Sequence, residues 1–350
     1  MTISEQNPVG LVGFDFIEFS GPDSAALEKM FFSFGFSKLK KHADRDQAYF
    51  RQHDVHFILN AEKSSAAAEF SKLHGPCASA TGWRVENADE AFRIALERGA
   101  KKAEKSDYSR KNGTPVPAIE GVGGSVIYFI DDHKSPTRWD DLGFKDLEQP
   151  TMVEDLGFAL IDHLTNNVYK GQLEPLAKFY KDVFGFTEVR YFDIDGKQTG
   201  LLSYALKSPC GSFCIPINES KDDKSQIVEY LEEYKGEGIQ HIAFLTSDIL
   251  KTMGTIDGDE VPTLDIDDEY YQEVFQRVPN VTEDKNLIQK HNLLVDGNSD
   301  GYLIQIFTKN MIGPIFFEFI QRRNFWGFGE GNFGALFRAM EKDQEKRGVL

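Results

Sequence analysis

Cysteine is scarce in this chain: Cys77, Cys210 and Cys214 are the only three in 350 residues. Three is an odd number and too few for a disulfide scaffold, which fits a reducing cytoplasm. Cys210 and Cys214 have no Cys or His pair nearby and make a poor zinc site. Basic charge is also short. Thirty-nine Lys and Arg stand against 56 Asp and Glu, a net charge of −17, which argues against nucleic acid and anionic membrane as partners. An anionic small substrate would need a local positive centre, and a metal ion can supply one. No apolar run reaches the ~18 residues of a transmembrane helix. The opening MTISEQNPVG has neither the basic nor the apolar region of a signal peptide. What is left is ordinary for a soluble globular protein, with 41% hydrophobic and 27% charged residues, and a length that suits two domains.

Two halves of the chain repeat one pattern. VGFDFIEF (12–19) is matched by LGFALIDH (156–163). Each opens a strand followed by a helix with apolar residues at helical spacing, at 24–34 and 173–183. Both helices run into the same tripeptide, FGF, at 34–36 and 184–186. Further strands are expected at 47–50, 55–59, 78–85 and 122–130. In the second half they are expected at 187–192, 200–204, 212–217, 238–244, 302–307 and 316–321. Residues 88–98 form an amphipathic helix stopped by Gly99. The pattern reads as four βαβββ-like modules in two pairs. Residues 132–150, polar with Pro136 and Pro150, read as a linker. The acidic stretch 257–300 reads as an insertion in the fourth module. Residues 332–347 read as a closing helix, with Asn332 as its N-cap and Phe333, Leu336, Phe337 and Met340 on one apolar stripe.

Within IGPIFFEFIQRRNFWGFGEGN (312–332), one carboxylate, Glu318, interrupts an apolar strand. Burying it is costly unless something pairs with it. His163 in FALIDHLTNNV and His241 in GEGIQHIAFLT are partners of the right kind, each carried on a strand. Two imidazoles and a carboxylate are the ligand set of non-haem Fe(II) oxygenases, and they leave adjacent coordination positions open. Zinc hydrolases also use two histidines and a glutamate, but the short-spaced HExxH pair they carry is absent. Aligning the halves by eye sets His163 against Phe19, His241 against Ala80 and Glu318 against Tyr128. The whole set is present in one half and missing from the other, as in a duplicated scaffold with one metal centre. His53 and His56 lie three apart in strand-like sequence, so they face opposite sides and make poor ligands.

The stretches IDHLTNNV, FYKDVFGF, TGLLS, IPINE, SQIVEYL, GEGIQHIAFLT, LIQIFT, GPIFFEFIQRR and GFGEGNFGALF follow one another in the second half. Together they resemble the 4-hydroxyphenylpyruvate dioxygenase family of the vicinal-oxygen-chelate superfamily. GLVGFDFIEFS and GWRV extend the likeness to the first half. The resemblance implies an α+β fold of two glyoxalase-like domains, each an open β-barrel of two βαβββ modules. The N-terminal domain (1–135) would lack a metal. A linker (136–155) would lead to a catalytic domain (156–350) ending in a gating helix.

The same resemblance implies that His163, His241 and Glu318 bind Fe(II). Ser203, Pro216, Asn218, Gln226, Gln240 and Gln305 would line the substrate pocket. Phe307 and Phe333 would clamp an aromatic ring, with Phe316, Phe328 and Asn332 as further lining. The implied reaction converts 4-hydroxyphenylpyruvate and O2 to homogentisate and CO2, in tyrosine and phenylalanine catabolism. The implied assembly is a cytoplasmic homo-oligomer, a tetramer or dimer. Two other readings share the scaffold. A 4-hydroxymandelate synthase would hydroxylate the benzylic carbon instead, and a non-catalytic binding protein would need no intact triad.

Overall fold

The computed structural model describes residues 3–195 and 199–348. Their strands form two eight-stranded sheets. The first contains β1 (Leu11–Ser20), β2 (Ser37–His42), β3 (Gln47–Gln52), β4 (Val55–Asn60), β5 (Cys77–Val85), β6 (Ala118–Glu120), β7 (Val126–Ile130) and β8 (Phe144–Thr151). The second contains β9 (Phe158–Val168), β10 (Thr187–Asp195), β11 (Gly200–Lys207), β12 (Cys214–Ser220), β13 (Gly238–Thr246), β14 (Leu294–Asn298), β15 (Gly301–Phe307) and β16 (Phe316–Arg323). The strand orders are β6-β7-β5-β1-β4-β3-β2-β8 and β10-β11-β12-β9-β13-β16-β15-β14. Read in opposite directions they coincide, apart from one extra edge strand in each.

Among the described residues ten α-helices accompany these strands: α1 (Ser24–Ser33), α2 (Ala66–His74), α3 (Ala88–Glu97), α4 (Arg138–Asp141), α5 (Leu173–Phe184), α6 (Gln226–Tyr234), α7 (Ile249–Thr255), α8 (Asp268–Arg277), α9 (Lys285–Lys290) and α10 (Phe333–Arg347). Each sheet is centred on an antiparallel pair, β1 with β5 and β9 with β13. Each member of the pair also has a parallel neighbour on its other side. Parallel neighbours need a long crossover, and the helices supply it. The sequence starts these helices locally: the side chains of Asp23, Ser65 and Asn87 accept from Ala26, Ala68 and Glu90 backbone N–H groups.

The two halves share one core. The Phe34 ring packs 4.6 Å from Phe317, and Trp83 lies 4.6 Å from Phe184. The buried Gln52 Oε1 accepts from Leu156 N and Phe158 N, at 2.9 and 2.8 Å. No described helix is long and apolar enough to cross a membrane.

Two stretches fold more than their composition suggests. The stretch 136–155, expected as a linker, holds α4 and β8, and β8 pairs with β2. Trp139, Leu142 and Phe144 are buried there, three apolar anchors among polar residues. Pro150 is tolerated because β8 is an edge strand. The acidic stretch 257–300 forms α8, α9 and β14, and β14 extends the second sheet beside β15. In contrast, the strand expected at 122–130 begins only at Val126. Gly123 and Gly124 take positive φ, 62° and 85°, and turn the chain first.

Strand register corrects the repeat alignment. In the second sheet Ala243 pairs with both His163 and Glu318. Its counterpart in the first sheet, Gly82, pairs with Phe16 and Tyr128. The position matching His163 is therefore Phe16, not Phe19, which instead packs on Phe31 and Phe57. The slip arises because the match by eye follows the similar Gly-Phe pairs at 13–14 and 157–158, which the register sets three residues apart. His241 still matches Ala80, and Glu318 still matches Tyr128. Where the second half gathers His163, His241 and Glu318, the first packs Phe16 against Tyr108, Tyr128 and Trp139, with centroids 5.8 to 6.2 Å apart.

Beside that plug lies the buried Glu18. It accepts from Ser79 Oγ at 2.7 Å, Asn60 Nδ2 at 2.9 Å and the Tyr108 hydroxyl. Burial first, and the Asp107 charge second, push its pKa up to about 7 against these hydrogen bonds. The unfolded chain ionises near its ordinary value while the folded chain stays protonated, so Glu18 lowers stability as pH rises between the two values. Above the folded value the cost is constant. Glu18→Gln should therefore gain on the wild type by roughly 2 kcal/mol between about pH 5 and about pH 8. Urea titrations at several pH values check this, and a difference independent of pH would contradict it.

Candidate metal centre

His163 on β9, His241 on β13 and Glu318 on β16 converge in the interior of the second sheet. His163 Nε2 lies 3.1 Å from Glu318 Oε2 and 3.4 Å from His241 Nε2. His241 Nε2 lies 3.5 Å from the same Glu318 oxygen. Ligands at right angles, ~2.1 Å from one ion, are about 3 Å apart. The three atoms thus stand nearly where one ion would bind them. Among the described residues this is the one group of three or more His, Cys, Asp or Glu side chains arranged to hold a metal.

The two histidines are oriented by the same backbone device. Successive strand residues normally face opposite sides. However, Asp162 and Gln240 are each the extra, unpaired residue of a β-bulge. Each therefore shares a side with the histidine that follows it. Asp162 Oδ2 accepts from His163 Nδ1 at 2.8 Å, and Gln240 Oε1 accepts from His241 Nδ1 at 2.9 Å. In its neutral form each imidazole would present Nε2 to a metal. Thr165 Oγ1 lies 2.9 Å from His241 Nε2.

Charge in the site is nearly balanced. Burial alone would lower the His163 pKa, but Glu318 and Asp162 outweigh it and hold it up at about 9. Burial would raise the Glu318 pKa, but the two histidines hold it below its ordinary value. Burial lowers the His241 pKa and favours its neutral form. Asp162 stays ionised despite burial because Arg322 donates to both its oxygens, at 2.7 and 2.8 Å.

The triad lies in the wall of a cavity. Ser203 and Asn218, cross-strand neighbours on β11 and β12, line it together with Gln226, Gln240 and Pro216. Phe307, Phe316, Phe328 and Phe333 add aromatic walls. Phe316 stacks on His241 at 4.8 Å, and Phe328 meets His163 edge-on at 5.8 Å. Phe333, Leu336, Phe337 and Met340 bring the apolar stripe of α10 over the cavity. Among the described residues, Glu318 is the one carboxylate in the lining, and no Lys or Arg lines it.

Two of the expected lining residues are not in that wall. Gln305 is buried on β15, and its amide atoms have no partner among the described residues. The loop covers it at Gly329, where a Cβ would stand 2.5 Å from Gln305 Nε2. Asn332 is buried too. Its Oδ1 accepts from Tyr270 Oη at 2.7 Å and Arg277 Nη2 at 3.2 Å, so it does not cap α10. Both donors sit on α8, so the acidic insertion holds the start of α10.

The sequence reading missed Asp162, Arg322, Thr165 and the apolar lining residues Phe192, Ile194, Leu201 and Ala205. Asp162 carried the signal that revealed Glu318, a carboxylate inside an apolar strand. Leu336, Phe337 and Met340 were recognised as a stripe, but not as part of the site.

The family described as hydroxyphenylpyruvate dioxygenase, HPPD, N-terminal, matches residues 5–145. The glyoxalase/bleomycin resistance protein/dioxygenase superfamily matches residues 160–285. Protein MelA of Shewanella colwelliana is 54% identical over 348 residues, covering 99% of both chains. The 4-hydroxyphenylpyruvate dioxygenase of Legionella pneumophila subsp. pneumophila is 45% identical over 353 residues, again 99% of both. A triple mutant of 4-hydroxymandelate synthase from Streptomyces coelicolor shares the fold, with a TM-score of 0.83 at 22% identity. That match covers 96% of this chain and 99% of the other. Identity of 45–54% over full length, on two glyoxalase-type halves with one candidate metal site, makes the chain a member of the 4-hydroxyphenylpyruvate dioxygenase family of metal-dependent oxygenases.

Proposed function

We propose that the protein converts 4-hydroxyphenylpyruvate and O2 to homogentisate and CO2, with Fe(II) held by His163, His241 and Glu318. The observation that carries this reading is the make-up of the cavity lining. It joins the triad to neutral hydroxyl and amide groups and to aromatic rings. Among the described residues no Lys or Arg in that lining offers a charge to the substrate carboxylate, and the whole chain carries −17.

Iron(II), when bound, supplies the positive centre that accepts the keto and carboxylate oxygens and activates O2. The chain's own residues do the rest. Asp162 and Gln240 keep both imidazoles in the tautomer that presents Nε2. Phe307 and Phe333 hold the aromatic ring, and Ser203, Asn218 and Gln226 offer donors and acceptors to its phenol oxygen. Leu336, Phe337 and Met340 exclude water, which limits unproductive oxidation. The balance is complete: both oxygen atoms of O2 enter products, and the substrate's own carboxylate leaves as CO2. The same proposal places the enzyme in the cytoplasm, in tyrosine and phenylalanine catabolism, as a homotetramer or dimer.

His163→Ala and Glu318→Gln should each lose stoichiometric Fe(II). Turnover should fall by more than the ~10–100-fold that outer partners of a metal ligand carry. Iron analysis after anaerobic loading checks this, and full iron with normal homogentisate output from His163→Ala would sink the assignment. For the wild type, an oxygen electrode with chromatography of the product should show one O2 consumed per homogentisate formed. Release of 4-hydroxymandelate would favour the synthase reading. Ligand binding without oxygen uptake would favour a non-catalytic binding protein.

A further inference from the structure

We propose that Arg322 is a positioning residue that links the orientation of His163 to the placement of the Phe328 ring. Its side chain is 7% exposed and reaches in two directions. Nε and Nη2 grip both oxygens of Asp162, at 2.7 and 2.8 Å, and Asp162 in turn accepts from His163 Nδ1 at 2.8 Å. Nη1 donates to the carbonyls of Gly327 at 2.7 Å and Phe325 at 3.2 Å. Gly327 directly precedes Phe328, whose ring stands edge-on to His163.

A guanidinium is planar and rigid, so its two arms cannot move independently. A shift of the loop carbonyls tilts the fork on Asp162, and a tilt of Asp162 turns the imidazole. A ligand packed on Phe328 therefore favours the orientation of His163 that binds metal, and by linkage the metal favours the loop position that receives the ligand. This inference rests on the reading that the triad binds a divalent metal.

The first half contains an internal control. Asp15 occupies the matching bulge and is held by Arg84 at 3.0 Å and Arg138 at 2.6 Å. The next residue there is Phe16, which has no nitrogen to orient. The Asp–Arg pair by itself thus stabilises a bulge. Only in the second half does it also reach a metal ligand and a loop of the cavity.

The test is a Co(II) titration of metal-free full-length protein, followed by the visible spectrum of the bound ion. Arg322→Lys and Asp162→Asn should each weaken Co(II) binding by ~10–100-fold and alter the spectrum. Asp15→Asn should leave both unchanged, even where it lowers Tm. Phe328→Ala should weaken Co(II) binding by a few-fold when Arg322 is present and leave it unchanged in the Arg322→Lys background. Wild-type affinity in both Arg322→Lys and Asp162→Asn would overturn the proposal, and so would independent, multiplying effects of Arg322→Lys and Phe328→Ala. Absence of Co(II) binding in the wild type would overturn the metal reading beneath it. Circular dichroism of each variant separates loss of fold from loss of orientation, and Asp162→Asn serves if Arg322→Lys does not fold.

Discussion

Everything in the second half is arranged around one buried carboxylate. An ionised Glu in an apolar barrel is costly unless it is paired. Glu318 escapes that cost because two histidines, brought from β9 and β13, stand within 3.5 Å of it. Their positions depend on β-bulges at Asp162 and Gln240, which place each imidazole and its hydrogen-bond acceptor on one side of the sheet. Without the bulges those acceptors would face the opposite layer, and the ring nitrogens would lose their fixed roles. The ligand geometry is therefore a property of the backbone as much as of the side chains.

The duplicated half shows how the same scaffold behaves without that demand. Its bulges persist at Asp15 and Ser79. Where the ligands would stand it has Phe16, Ala80 and Tyr128, and its interior closes with tilted and edge-on rings. Gly82 leaves room for this, since a Cβ there would stand 2.4 Å from the Phe16 ring. One sheet is sealed by aromatic packing. The other keeps a cavity that α10 helps to line.

Much of this arrangement was legible in the sequence. Glu318 stood out because a charge in an apolar run contradicts its surroundings. His163 and His241 followed as partners of matching chemistry on similar strands. The strands themselves declared their positions through alternation and through the repeat. The remainder depends on features that a linear pattern does not carry. A bulge reverses the face of every residue beyond it, so Asp162 could not be read as a partner of its own neighbour. The similar Gly-Phe pairs at 13–14 and 157–158 drew the halves three residues out of register, which set Phe19 in the place of Phe16. Gln305 lies on a motif-bearing strand, yet it ends up beneath the loop at Gly329. Asn332 has the residue type of a helix cap, but Tyr270 and Arg277 from the insertion claim its oxygen. The stretch 136–155 looked like a linker because three buried anchors were diluted among polar neighbours.

Crystals of the protein soaked anaerobically with Fe(II), measured at the iron absorption edge, test the central claim most directly. The account predicts one anomalous peak per chain, ~2.1 Å from His163 Nε2, His241 Nε2 and a Glu318 oxygen. No peak at the triad, or iron bound elsewhere with the three side chains still bonded only to one another, would contradict it.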